Sequence, residues 1–141
     1  MVQFNDPRNM SVKSTITFAG AGLCVNQGTA TSNEVDVCGD GELCIGVTAD
    51  ESSRDAAGTL ETSGATVSVY PLGGVLMVQS EASQTWDYGL IVYVGAAGQV
   101  IDSNDHTSKI LGIYVGEGGA EHTNCDAGTL IPVATHGAAL S

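Results

Sequence analysis

Short runs of apolar and β-branched residues, separated by glycine-containing turns, recur along the chain from Leu43 to Val115. The runs occupy residues 43–47, 66–70, 75–78, 90–94 and 110–115. Runs of this kind bounded by turn residues are typical of β-strands, and none of them continues into a helical repeat. The pattern therefore predicts one compact all-β domain.

The turns and the remaining apolar residues predict further elements. Alternation predicts a strand over 14–18, and Asp40-Gly41 predicts a tight hairpin that leads into a strand over 43–48. A second glycine-containing hairpin is expected at 95–98. Residues 49–65 are polar and rich in small side chains, which indicates a long exposed loop.

Three further features predict particular positions in the sheets. Residues 90–94 are apolar on both faces and are expected to form a central strand. The last strand, 130–135, contains Pro132, which favours an edge position because proline donates no ladder hydrogen bond. Gly46 and Gly112 each lie inside an apolar strand, which indicates a bulge or the close approach of another backbone.

The N-terminal residues differ from the rest of the chain. Residues 1–13 are polar, contain the structure-breaking Pro7, and carry two of the chain's four basic side chains, Arg8 and Lys13. We interpret them as an extended arm, followed by a β-rich domain over 14–141.

The charge is strongly unbalanced. The chain has 4 lysine and arginine residues against 16 aspartate and glutamate residues, for a net charge of −12. Nucleic acids and anionic membranes both require clustered basic side chains, so neither is an expected partner. The acidity fits a soluble surface, adaptation to high salt, or a cation site, and we favour the soluble surface.

No targeting or membrane segment is evident, and the cysteines form no metal-binding or redox motif. The first twenty residues lack an apolar run of the signal-peptide type, so we expect synthesis in a host cytoplasm. The cysteines are Cys24, Cys38, Cys44 and Cys125, with no C-x-x-C pair. Free thiols are expected in a cytoplasm, and a Cys24–Cys38 disulfide becomes possible in an oxidising medium.

The sequence contains no P-loop, G-x-S-x-G or H-E-x-x-H motif, so it predicts no catalytic residue and no cofactor. His122, Cys125 and Asp126 form the best metal-like cluster, but zinc needs three or four converging ligands, and solvated loop residues are the favoured interpretation. The acidic loops 36–42 and 102–105 do not match an EF-hand, and turn hydrogen bonding accounts for both.

Trp86 lies in a connection between predicted strands. If exposed, it would be a candidate anchor for a partner. If buried, it would close one end of the core, which the scarcity of other large aromatic residues favours.

The order of motifs between residues 42 and 135 is distinctive: an I-G-V strand, a V-x-V strand, a G-V strand, a strand ending in V-G, a glycine hairpin, an I-G strand, and a closing A-G-x-x-x-x-V strand. The corresponding segments are 42–48, 65–70, 74–78, 88–95, 98–100, 109–113 and 127–133. In this order the chain resembles the head-decoration, or cement, proteins of tailed phages. It departs from them in its longer N-terminal part, 1–41, and around 122–126.

The resemblance implies a compact β-barrel or β-tulip-like fold. It also implies a homotrimer on the outer capsid surface of the virion, at three-fold or quasi-three-fold positions, where it binds the major capsid protein and stabilises the expanded shell. In such proteins an N-terminal arm often makes the contact, so the candidate capsid-contacting residues are Phe4, Pro7, Arg8 and Lys13.

Two other functions compete with this one. The acidic loops leave open a calcium- or ligand-binding β module of a tail or adhesion structure. A small hydrolase using His122 or His136 is a weaker alternative, because no motif positions a nucleophile.

Overall fold

The strands form two sheets that follow one another along the chain. The computed structural model describes residues 12–14, 17–27, 34–61, 65–103, 109–117 and 122–140, with the backbone alone in 12–14 and 136–140. The first sheet contains β1 (Val12–Ser14), β2 (Cys24–Gln27), β3 (Glu34–Val37), β4 (Gly46–Thr48), β5 (Ala65–Val67) and β6 (Val69–Pro71). The second sheet contains β7 (Gly74–Gln79), β8 (Ile91–Val94), β9 (Val100–Ile101), β10 (Ile110–Tyr114) and β11 (Leu130–Leu140).

The first sheet has the order β5-β1-β3-β2-β4-β6, and all its neighbouring strands are antiparallel except β1 and β3. Its two outermost strands, β5 and β6, are separated in the chain by Ser68 alone. One nearly continuous segment therefore supplies both ends of the sheet, and the sheet must curl round for β5 to reach β1 while β6 reaches β4.

The second sheet has the order β7-β11-β10-β8-β9 and is antiparallel throughout. The predicted hairpin at 95–98 is confirmed: β8 pairs with β9, with a single turn of 3-10 helix between them at Ala96–Gly98. The central position predicted for residues 90–94 is also confirmed, because β8 lies between β10 and β9.

Two cores hold the molecule together. The smaller core lies inside the curled first sheet and contains Phe18, Val25, Val35, Val67 and Val69. The larger core lies between the sheets. The first sheet contributes residues to it from β2, β4 and their connections, and the second sheet contributes Trp86, Tyr114 and a group of aliphatic side chains. In β2, Cys24 belongs to the larger core and its neighbour Val25 to the smaller one, so this strand is buried on both faces.

The predicted compact all-β single domain is confirmed. Its architecture is two packed sheets, one of them strongly curled, rather than one closed barrel. No helix among the described residues is long and apolar enough to cross a membrane.

Both glycine expectations are confirmed. A Cβ on Gly46 would lie 2.5 Å from Val69 Cγ1 and 2.8 Å from the Tyr70 carbonyl oxygen, so β6 approaches β4 as closely as its backbone allows. A Cβ on Gly112 would overlap the Ala134 carbonyl oxygen. The pairing register also shifts between Ile110 and Gly112 against both neighbouring strands, which is a bulge.

The prediction of a tight hairpin at Asp40-Gly41 is wrong. The turn exists, but β3 and β4 do not pair, because both flank β2. The connection between them crosses the end of β2, where Ile45 N–H donates to the Val25 oxygen at 2.9 Å. The buried thiols of Cys38 and Cys44 hold this crossover against the larger core. The strand predicted over 43–48 is correspondingly shorter and begins at Gly46.

The edge position predicted for Pro132 is also wrong, because β11 lies between β7 and β10. The Pro132 oxygen accepts from Val115 N–H at 3.1 Å, one residue beyond the end of β10. In an antiparallel strand the nitrogen and oxygen of one residue point to the same neighbour. The Pro132 nitrogen, which has no hydrogen to donate, therefore faces Val115, beyond the end of β10, and no hydrogen bond of the β10–β11 ladder is lost.

The segments around Phe18 and Ser52 differ from the prediction. Described residues 17–19 are not in a strand, and Phe18 and Ser52 bond reciprocally, with Phe18 N–H on Ser52 Oγ and Ser52 N–H on the Phe18 oxygen, each at 2.8 Å. Ser52 is consequently buried, although it lies in the segment predicted as an exposed loop. The backbone bonds of this segment to Ser68 and Thr66 tie it to the junction of β5 and β6.

Candidate interaction surface

The residues predicted to contact a capsid are mostly outside the described part of the chain. Phe4, Pro7 and Arg8 lie there, so the N-terminal arm stays a prediction. Lys13 lies in β1, where its backbone pairs with Glu34 on one side and Thr66 on the other. The structure thus places Lys13 within the first sheet.

Trp86, the candidate partner anchor, is fully buried. Its Nε1 donates to Ser80 Oγ at 2.9 Å, and its ring centroid lies 5.9 Å from that of Tyr114. The indole therefore closes the larger core, which is the second of the two alternatives, and it offers no surface to a partner. Burial of the indole is favoured because the Ser80 hydroxyl, at the start of the connection 80–89, accepts the hydrogen bond that the indole N–H would otherwise make to water.

The metal-like cluster does not converge. The Cys125 thiol is buried and bonds to Ser80 Oγ at 3.3 Å, whereas the His122 ring packs edge-on against Tyr114. Within the described ranges, no group of three or more histidine, cysteine, aspartate or glutamate residues is placed to hold a metal ion.

Three acidic side chains from the segments predicted as acidic loops accept hydrogen bonds from backbone N–H groups. Asp36 accepts from Val37 N–H at 2.7 Å, Glu42 from Gly39 N–H at 2.7 Å, and Asp102 from Thr85 N–H at 2.8 Å. Asp36 lies in β3 rather than in the predicted loop 36–42, whereas turn and loop stabilisation accounts for Glu42 and Asp102, as the sequence indicated. Nothing in their geometry favours a calcium site over that role.

The most unusual surface is the side of the second sheet that faces away from the larger core, which we call the outer face. Five large apolar side chains project from it: Val75 is 59% exposed, Met77 49%, Leu130 43%, Ile91 42% and Ile113 38%. Pro132 and Ala134 lie half-buried between them. Together these residues form an apolar stripe across four adjacent strands.

The register explains why these residues share one side. Met77 pairs with Pro132, Val75 with Ala134, Ala134 with Ile113, and Ile113 with Ile91. Directly paired residues in a sheet point to the same face. The alternate positions, including Val78, Ile131 and Val133, are buried in the larger core.

The outer face belongs to a sheet with no aspartate, glutamate, lysine or arginine in any of its five strands. This is unusual in a chain of net charge −12. The basic side chain of Arg54, by contrast, lies on the other half of the molecule and is matched by Glu51, with Nε 2.7 Å from Oε1. That partner raises the pKa of Arg54 above its ordinary value, so the guanidinium keeps its charge.

A groove of about 410 Å³ borders the outer face where the two sheets meet. Tyr70 and Pro71 of β6 form one wall, and Val75 and Met77 of β7 form the other. The groove is therefore continuous with the apolar stripe through shared side chains.

The sequence reasoning missed this surface, although a signal for it was present. Residues 75–78 and 90–94 are apolar at consecutive positions, and for 90–94 this pattern predicts a central strand that is apolar on both faces. In this two-layer structure the first sheet covers one face of the second sheet, and the other face is open to solvent. The same pattern then leaves alternate residues exposed.

No protein-family model matches the chain, and no curated protein matches it in sequence. Its fold is similar to the N base of the head fiber protein gp8.5 of bacteriophage phi29, known from a crystal structure. That similarity has a TM-score of 0.56 at 17% sequence identity and covers 92% of this chain and 94% of that one. It establishes a shared fold over nearly the whole of both chains.

Proposed function

We propose that this chain is a structural protein of a bacteriophage head: a non-enzymatic decoration protein on the outside of the icosahedral shell. It forms homotrimers at three-fold or quasi-three-fold positions and binds the major capsid protein. The likeness of its fold to the base of a phage head fiber supports the association with a head. The resemblance of its motif order to decoration proteins supports the finer assignment.

The uncharged apolar outer face is the observation that carries the proposal. Two copies of a protein with net charge −12 repel one another wherever their acidic surfaces meet. Contact through a sheet with no ionisable Asp, Glu, Lys or Arg avoids that repulsion and removes exposed apolar surface from water. We therefore assign the outer face to the contacts among the three copies of the homotrimer.

The size of the face sets the strength of that contact. Its five most exposed side chains present on the order of 400 Å² of apolar surface, comparable to the largest patch on a typical monomer. A standard interface buries about 800 Å² on each partner. We expect reversible association in solution, strengthened on a shell by simultaneous binding of several copies. The arm residues Phe4, Pro7 and Arg8 remain the proposed capsid contacts.

The substitution Ile113→Asp tests the self-contact. Burying an aspartate against a second copy adds an unpaired charge to the centre of the stripe, so the trimer is expected to dissociate. Ile45→Asp is the matched control, because Ile45 is 45% exposed and lies in the crossover of the first sheet, away from the outer face. Sedimentation equilibrium over a concentration series should show trimers for the wild type and Ile45→Asp, and monomers for Ile113→Asp.

Co-sedimentation with expanded, undecorated heads then tests the partner. Saturable binding in threes at each local three-fold site is expected for the wild type and Ile45→Asp, with weaker binding for Ile113→Asp. A wild type that binds heads as a monomer, and loses binding on Ile113→Asp, would reassign the outer face to the capsid. A folded wild type that binds no heads would overturn the proposed function.

A further inference from the structure

Strand β7 ends the second sheet, and its backbone shows which groups face the open side. The Pro132 oxygen accepts from Val115 N–H, so the Pro132 backbone faces β10 rather than β7. Met77 lies directly opposite Pro132, so these two residues exchange no hydrogen bond and the Met77 backbone points away from β11. Because this direction alternates along a strand, Val75, Met77 and Gln79 all present their N–H and C=O groups to the open edge.

Gln79 marks the part of this edge that the chain itself already uses. Its backbone N–H donates to the Gly22 oxygen at 2.8 Å, and its Nε2 donates to the Ala21 oxygen at 2.8 Å. Within the described ranges, the N–H groups of Val75 and Met77 have no such backbone partner. The turn at 20–22 therefore covers the end of the edge and leaves the stretch before it open.

The open stretch borders the groove between the two sheets. Residues 75–77 line the groove consecutively, which shows that the backbone edge of β7, and not only one of its faces, borders this space of about 410 Å³. Ala21 lies at the same groove, and Tyr70 and Pro71 line it from β6. The residues that line the groove are all uncharged.

The chain covers the edges of two other terminal strands with its own segments. At β9, Glu81 N–H donates to the Val100 oxygen at 3.0 Å. At β5, Ser53 N–H donates to the Thr66 oxygen at 2.8 Å, and Thr66 N–H donates to Ser53 Oγ at 3.0 Å. Edge strands that stay exposed usually carry a lysine, a proline or another charge that prevents further pairing, and β7 has none of these. The open edge of β7 thus has the properties of an edge that another chain covers.

We propose that the open edge of β7 is a docking site for an extended, uncharged segment of the major capsid protein. The segment pairs with the backbone of Val75 and Met77 as an added strand, and its alternate side chains enter the groove. Main-chain hydrogen bonds then supply affinity and the groove supplies selectivity for the side chains. This docking site rests on the proposed function and adds a contact to those of the N-terminal arm.

Symmetry disfavours a second copy of this chain as the occupant. Pairing of β7 with β7 of another copy uses the same edge twice and therefore needs a two-fold axis, whereas the proposed trimer has a three-fold axis. Ser53 and Glu81 already cover the edges of β5 and β9, so a neighbouring copy offers neither of them. Strand β6 ends in Pro71, which has no N–H to donate to a neighbouring strand.

Charge also distinguishes the two occupants. A charged side chain buried in the uncharged groove lacks a partner, so the middle of the docked segment must be uncharged. The rest of this chain, with its net charge of −12, attracts basic residues on either side of that segment. A second copy is equally acidic and lacks this complementarity.

Hydrogen exchange of the intact wild type, alone and bound to expanded, undecorated heads, tests the proposal. Leu76 and Val78 face β11, so their amides should exchange slowly in both states. The Met77 amide should exchange rapidly in the free protein and more slowly, by at least about tenfold, on heads. Slow exchange at Met77 in free trimers would reassign the edge to a second copy and overturn the proposal.

The substitution Ala21→Glu tests the groove separately from the outer face. Ala21 is exposed at the groove, so a glutamate there places bulk and charge where the segment docks. Ala57→Glu is the matched control, because it adds the same charge at an exposed position away from the groove. Ala21→Glu should weaken binding to heads by at least about tenfold, whereas Ala57→Glu should bind like the wild type. Both variants should remain trimers in sedimentation equilibrium.

The outcomes separate this docking site from the proposed function. A folded wild type that binds no heads overturns the proposed function, and the docking site with it. A wild type that binds heads without slower exchange at Met77 overturns the docking site alone, as does equal binding by Ala21→Glu and Ala57→Glu. The exchange measurement uses the wild type, so a variant that fails to fold leaves the test intact.

Discussion

Gly112 shows how a single residue determines the geometry of the second sheet. The Ala134 carbonyl oxygen occupies the space that a Cβ would need, and this contact coincides with the register shift in β10. The bulge brings Ile110 opposite Tyr93 while Ile113 stays opposite Ile91. One missing side chain thereby allows β11 to approach β10 where the ladder is irregular.

Gly112→Ala should destabilise the protein by about 2–3 kcal/mol, because the new methyl group forces the backbone of β10 away from Ala134. Gly20→Ala is the control: the nearest atom to its Cβ would be Gln79 Nε2 at 3.9 Å, an ordinary contact, so a change within about 0.5 kcal/mol is expected. Urea unfolding followed by tryptophan fluorescence measures both. Equal stabilities of the two variants would contradict the steric argument.

Sequence reasoning identified individual residues well where their roles are local. The two close-approach glycines could be predicted because a glycine inside an apolar strand usually marks a bulge or a closely approaching backbone. The burial of Cys24, Cys38 and Cys44 in one core could not, because it depends on the β2–β3 register and on a crossover rather than a hairpin. Residue spacing along the chain contains neither fact.

Strand β7 shows how one element is fixed at an exposed edge of a sheet. Among the described strands β7 has β11 as its single neighbour, so the first residues of β7 depend on further hydrogen bonds. The Thr135 hydroxyl supplies it by accepting from Gly73 N–H at 2.9 Å and donating to the Gly74 oxygen at 3.0 Å. Thr135 therefore anchors the beginning of β7, next to the outer face.

Thr135→Val keeps the shape of the side chain but removes both hydrogen bonds, so a loss of about 1–3 kcal/mol is expected. Thr66→Val, at an exposed position in β5, is the matched control and should leave stability within about 0.5 kcal/mol of the wild type. Hydrogen exchange should also be faster at Val75 and Leu76 in Thr135→Val. Unchanged exchange there would show that the ladder to β11 is sufficient by itself.

The elements themselves were largely predictable, and their neighbours were not. Apolar alternation located most strands, and the glycine turn at 95–98 correctly paired β8 with β9. The turn at 40–41 failed as a hairpin signal because β2 lies between the two strands it connects. Pro132 failed as an edge signal because β10 ends at Tyr114, one residue before Val115, the residue that lies beside Pro132. Both failures arise from long-range pairing.

Charge is distributed unevenly over the whole molecule. The strands of the second sheet carry none of the chain's acidic residues, whereas its loops and the first sheet carry many. The interaction surface could not be located from the sequence, because which apolar residues are exposed depends on how many layers cover a sheet. The net charge, however, was readable directly and leads to a prediction for the intact protein.

The melting temperature should rise by several degrees between about 0.01 and 0.3 M NaCl, because the Debye length falls and self-repulsion among acidic groups is screened. It should then level off. Sodium sulfate and sodium perchlorate at the same low ionic strength should give the same rise, since screening does not depend on the anion. A continued rise into molar NaCl would indicate adaptation to high salt, and no rise at low salt would contradict the repulsion argument.

The order of the two sheets along the chain has a consequence for synthesis. The described strands of the first sheet lie within residues 12–71, and those of the second follow from residue 74 onward. A ribosome therefore delivers every strand of the curled sheet before any strand of its partner. Until the strands of the second sheet emerge, Cys24, Cys38, Cys44 and Val47 have no second layer to cover them. The nascent first sheet thus presents an exposed apolar surface that is prone to aggregate. The yield of folded protein in the cell is therefore expected to depend on chaperones that shield such surfaces during translation.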